Sequence, residues 1–131
     1  MTYATRTDLA ERYGSDELAQ RESTLPPGAV DRALVDAAAE IYSYMAGRYN
    51  VPFSPVPDAI PKLACAIARY ALLGEAATER SRKDYEDARA FLRDVQAGRA
   101  RLEGAAPLAA ASPAATVAII TGDRIFSREA R

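Results

Sequence analysis

At 131 residues, 49% of them hydrophobic and 27% charged, the chain can close one hydrophobic core and falls short of the length that two ordinary domains need. Lys plus Arg total 17 against 18 Asp plus Glu, a net charge of -1, which leaves no electrostatic surplus for gripping duplex DNA or an anionic membrane. A single cysteine, Cys65, and the absence of histidine exclude an intramolecular disulfide, a Cys/His zinc site and a histidine-activated nucleophile.

Met1 to Asp8 has no cationic lead followed by an apolar run, and no apolar stretch approaches the roughly 20 residues that cross a bilayer. The expectation is a protein made in the cytoplasm, with no membrane contact. Thr7, followed by Asp8, Leu9, Ala10 and Glu11, predicts a capped, acidic helix start that Gly14 ends. Ser15 offers a second cap, with Asp16 and Glu17 in the first turn before Leu18, so two short helices form an elbow at Gly14. Leu25-Pro26-Pro27-Gly28 then reads as a rigid connector, because neither proline can donate a backbone hydrogen bond.

Val30, Leu34, Ala37, Ala38, Ile41, Met45 and Tyr49 recur at helical spacing and predict a long amphipathic helix over about residues 29 to 48. Tyr42 and Tyr44 sit beside that stripe as core edge or subunit contact. Asn50 to Pro57 carries three prolines and reads as a stiff extended loop. From Ile60 to Leu73 only Lys62 and Arg69 are charged, which predicts a helix buried on all sides, with Pro61 tolerated in its first turn and Cys65 an inert packing residue. Gly74 ends that helix or lets it fray through Ala76 and Ala77.

Residues 81 to 97 place Tyr85, Ala88, Leu92 and Val95 on one stripe under a face of mixed charge, and Gly98 is placed to stop the helix. The core is expected to be built from Ile41, Met45, Leu63, Ile67, Leu72, Tyr85 and Leu92. After Leu102 the character changes: Gly104 to Ala115 is Ala-rich, interrupted by Pro107 and Pro113, and reads as a flexible linker. Thr116 to Thr121 is short and β-branched, which suits a strand or an extended arm, and Arg124 to Arg128 alternates polar with apolar over a further five residues. Such an arm is marginal alone in water and makes sense docked on a partner, through Val117, Ile119, Arg124, Ile125, Phe126 and Arg128. The organisation is thus 1–103 helical domain, 104–115 linker and 116–131 docking arm, in an all-α bundle of about four to five helices.

The scattered glycines form neither a P-loop nor a GxGxxG turn. Asp84 and Asp87 could share a helix face, but acidic pairs at this spacing are ordinary on solvated helices. No cofactor and no metal are expected, and the pattern points away from an enzyme. Arg80, Arg82, Lys83, Arg89 and Arg93 are interleaved with acids, without the one-signed face that phosphate contact needs.

The blocks Thr2 to Gly14, Arg48-Tyr49-Asn50-Val51-Pro52-Phe53, Val56-Pro57, Ala68-Arg69-Tyr70, Tyr85 to Leu92 and Asp123 to Arg128, in this order, resemble a family of short proteins from Mu-like bacteriophages that looks like the head-to-tail connectors (adaptors) of tailed phages. The resemblance implies a homo-oligomeric ring, usually of about twelve copies, that sits beneath the portal protein, extends the DNA channel without specific DNA binding and seats a tail-proximal neck or tail completion protein. It also implies a place at the virion neck, with the host cytoplasm as the site of assembly. The Ala-rich stretch from Gly104 to Ala115 departs from the family pattern. The competing reading is a small helical DNA-binding regulator, with the helices around Gly14 as a helix-turn-helix; Asp16, Glu17 and Glu22 on the second of them suit a major groove poorly.

Overall fold

Five α-helices build residues 2–108, the part of the chain that the computed structural model describes: α1 (Arg6–Tyr13), α2 (Ser15–Glu22), α3 (Ala29–Met45), α4 (Ala59–Leu73) and α5 (Glu79–Gln96). There is no strand among the described residues, and the expected all-α architecture is the observed one. Helix α4 is the hub, packed against α1, α3 and α5, and α3 also packs on α5. Its sequence dictates that place: Ile60, Leu63 to Ala68, Leu72 and Leu73 are all buried, so α4 has almost no face to give to water.

The helix boundaries correct several expectations. Thr5, not Thr7, caps α1: its hydroxyl accepts from the Asp8 amide at 3.2 Å while the Asp8 carboxylate accepts from the Thr5 amide at 2.9 Å, a closed capping box. The box needs an acceptor three residues beyond the cap, and Asp8 stands three after Thr5. Ser15 does not cap α2, because a single residue, Gly14, separates the two helices and serves as the end of one and the start of the next, at φ 99°. Helix α3 stops at Met45, short of residue 48, where Arg48 and Tyr49 turn their amides back onto the Met45 carbonyl. Helix α5 starts two residues earlier than residue 81, because the Thr78 hydroxyl accepts from the Ser81 amide and Ser81, itself buried, donates its hydroxyl to the Thr78 carbonyl.

Ile41, Met45, Leu63, Ile67, Leu72 and Leu92 lie in the core as expected, but Tyr85 does not. It is only partly buried, stacked on Tyr70 with ring centroids 4.6 Å apart, and so closes the margin of the core instead of filling it. The core also takes residues from outside the helical stripes. Phe53, in the proline-rich loop, is buried against Tyr3 with ring centroids 5.4 Å apart, so that loop is an anchor as well as a connector; its Val51-Pro52 and Ser54-Pro55 peptides are cis.

Two arginines tie helix ends together across the bundle. Arg21 of α2 donates to the carbonyls of Leu72 and Leu73 at 3.1 and 3.3 Å, satisfying acceptors that the end of α4 leaves open. Arg48 donates to the Gln96 carbonyl at 2.9 Å at the end of α5. Gly98 follows there in a Schellman turn, with Gly98 N–H on the Val95 carbonyl and Arg99 N–H on the Asp94 carbonyl. Its φ is +85°, and an added Cβ would stand 2.9 Å from the Arg48 guanidinium. Gly98→Ala is therefore expected to cost about 1–2 kcal/mol and lower Tm by several degrees. Gly47→Ala, where nothing stands within 4 Å, should change stability by less than about 0.5 kcal/mol. Thermal unfolding of the two variants followed by circular dichroism checks the contrast, and equal melting would refute the turn's role.

Residues 104–108, the start of the Ala/Pro-rich stretch, lie along residues 48–50. Asn50 N–H donates to the Ala106 carbonyl at 3.0 Å, Leu108 N–H to the Arg48 carbonyl at 2.9 Å, and Tyr49 faces Pro107 in an antiparallel bridge. The Tyr49 hydroxyl accepts from the Leu102 amide at 3.0 Å. Residues 104–108 are thus bonded to the domain. The rest of the linker and the whole arm, with Val117, Ile119, Arg124, Ile125, Phe126 and Arg128, lie outside the described residues.

Candidate functional site

Two surface features stand out among the described residues. The first is on α3, where Val35 and Tyr42 are each 45% exposed and Ala39 lies between them, so spacings of four and three residues set three apolar side chains on one outward face. Tyr42 therefore points to solvent, while Tyr44 is half-buried.

The second is a groove of about 750 Å³ between α1, α4 and α5. Its apolar lining is Tyr13, Ala59, Leu63, Ala66, Ala88 and Phe91. The alanines make the space: a larger side chain at 66 or 88 would fill the seam between α4 and α5. Its charged lining is Arg12, Lys62 and Arg80 with Asp84 and Asp87, and none of these five takes part in an ion pair among the described residues. Past Ala59 and Phe91 a smaller depression of about 570 Å³ continues the groove to Val56, Leu102 and Gly104. Asp84 and Asp87 do share a face, as their spacing implies, but with three cations beside them; no group of three or more acids, cysteines or histidines that could hold a metal occurs among the described residues.

Sequence reasoning singled out the buried stripe of α5 and missed this second one. Arg80, Asp84, Asp87 and Phe91 follow at spacings of four, three and four, a helical period that marks a face of its own. The periodic signal was present but mixed charge with apolar residues, and only α1 and α4 beside it turn the stripe into a groove.

Cys65 is fully buried in α4, and burial pushes its thiol up to about 11. It is held neutral at ordinary pH and is a poor nucleophile there. The folded value lies above the ordinary 9.0, so this residue's contribution to stability is intact below about pH 9 and is lost as pH rises toward 11. Alkylation of the native protein near pH 8 should run about a hundredfold slower than in denaturant, from the lowered thiolate fraction alone. Equal rates would show an accessible thiol.

The α1–α2 elbow is welded to α4. Glu17 accepts from Arg69 through both oxygens at 3.0 and 3.1 Å, Arg69 stacks over the Tyr13 ring at 4.3 Å, Leu18 is buried, and Arg21 is consumed by the α4 carbonyls. The one basic residue of α2 thus points into the bundle, a poor arrangement for a recognition helix.

With this geometry established, comparison with known proteins places the chain. Residues 3–120 match the family described as Bacteriophage Mu, Gp36. The chain belongs to the bacteriophage Mu Gp36 family. Among its relatives, "Mu-like prophage FluMu protein gp36" of Haemophilus influenzae is 40% identical over 101 residues, covering 73% of this chain and 72% of the relative. "Gene product J" of Escherichia phage Mu is 33% identical over 98% of this chain and 96% of its own. For a member of the Mu Gp36 family this second match matters most, because it takes in most of the segment beyond Leu108 as well as the bundle.

Proposed function

We propose that the chain is a structural head-to-tail connector (adaptor) subunit of a tailed bacteriophage. Copies close into a ring beneath the portal protein, extend the DNA channel and seat a tail-proximal neck or tail completion protein, with the ring placed at the virion neck after assembly in the host cytoplasm. The observation that carries this reading is membership of the Mu Gp36 family over residues 3–120, joined to the physical character of the domain. A small helical bundle that exposes Val35 and Tyr42 on one helix and an unfilled groove between three others suits repeated packing of copies. A net charge of -1 suits a channel wall that lets DNA pass without gripping it.

The purified chain is expected to form a closed ring of about twelve copies in native mass spectrometry and electron microscopy. Its affinity for DNA should be weak, independent of sequence and salt-sensitive. A monomer at every concentration that binds one DNA sequence at nanomolar affinity would defeat the reading in favour of a regulator.

A further inference from the structure

We infer that the groove between α1, α4 and α5 is the seat for the C-terminal arm, residues 116–128, of the neighbouring copy, an inference that rests on the ring reading above. The groove and the arm complement each other in chemistry. The groove offers an apolar floor at Leu63, Ala66 and Phe91 and, on its rim, cations at Arg12 and Arg80 and carboxylates at Asp84 and Asp87 that find no ion-pair partner among the described residues. The arm brings Val117, Ile119, Ile125 and Phe126 with Arg124 and Arg128, and its own acid Asp123 for the opposite rim. A surface with unmatched charges of both signs around an apolar floor selects a partner that carries both signs around an apolar centre.

The place where the described chain ends supports the same occupant. Gly104 lines the smaller depression that continues the groove, and Leu108, four residues on, is held by the Arg48 carbonyl. Residues 109–115 then span at most roughly 25 Å when extended, at about 3.3–3.6 Å each. That exceeds the width of two helices of about 10–12 Å. An arm of this reach can leave one copy beside its groove and enter the groove of the next. Each copy then gives one arm and receives one, the head-to-tail contact that a closed ring repeats.

The test uses the full-length chain. Asp84→Lys with Asp87→Lys, and separately Arg124→Asp with Arg128→Asp, should each raise the concentration needed for half-assembly by about tenfold, read by sedimentation velocity. The chain carrying all four changes should assemble again. Assembly that ignores the reversals, or that the fourfold change fails to rescue, overturns the groove as the seat while leaving the ring reading intact. A chain that stays monomeric at every concentration overturns both. For the path of the arm, a Asp87→Cys chain mixed with a Ser127→Cys chain should give a disulfide-linked dimer on mild oxidation. Closure within a single chain that carries both cysteines, with no dimer in the mixture, would assign the arm to its own groove and overturn the exchange between copies.

Discussion

Replacing Ile67 by aspartate is expected to remove most of the stability of the bundle. Ile67 is 5% exposed on the hub helix, within the cluster that α3, α4 and α5 build together. A carboxylate placed there either stays charged without a partner or is forced to take up a proton, and each route costs several kcal/mol. Total stability for a domain of this size is about 5–15 kcal/mol, so the variant should be largely unfolded or far down its urea curve. Ile67→Val keeps the site apolar and should lose only about 0.5–1.5 kcal/mol. Urea denaturation followed by far-ultraviolet circular dichroism separates the two. An aspartate variant within about 1 kcal/mol of the parent would mean that position 67 faces solvent, contrary to the packing of α4.

Deleting residues 116–131 is expected to leave the bundle folded and to abolish its work in assembly. The helices, their caps and the bonds that run to Leu108 all precede the deletion, so the truncated chain should melt within a few degrees of the parent. The segment removed carries every residue that the sequence marks for docking: Val117, Ile119, Arg124, Ile125, Phe126 and Arg128. Ordering such an arm costs about 1–2 kcal/mol per residue, which only burial on a partner can offset. In a phage that depends on this chain, complementation with the truncation should yield DNA-filled heads without tails. Normal tailed particles would defeat the docking role of the arm, and a truncation that fails to fold would show that the arm belongs to the domain.

Much of the fold was legible in the linear order of residues, and what was missed has a common cause. The stripes of α3 and α5, the all-round apolar α4 and the stop at Gly98 are properties of single helices, and a period of 3.6 residues is visible wherever one helix has one buried face. Periodicity finds a face but cannot say how deep it lies, so Tyr85 at the margin of the core looked the same as Leu92 at its centre. Phe53 and Tyr3 belong to no helix and reach the core because the loop and the N-terminus meet there, ring against ring.

By itself, then, the sequence determined the all-α class, the burial of α4, the packing role of Cys65 and the lack of a histidine for acid–base work, since each follows from composition or from spacing within one segment. Only the tertiary structure decided that Arg21 and Arg48 cap the ends of other helices, that residues 104–108 are held by residues 48–50, and that a stripe of α5 becomes a groove. Those contacts join residues far apart in the chain: Arg21 and Leu72 are 51 positions apart. No local propensity encodes such a pairing, because its energy appears only when separate helices are packed and their open carbonyls and faces are brought within reach of one another.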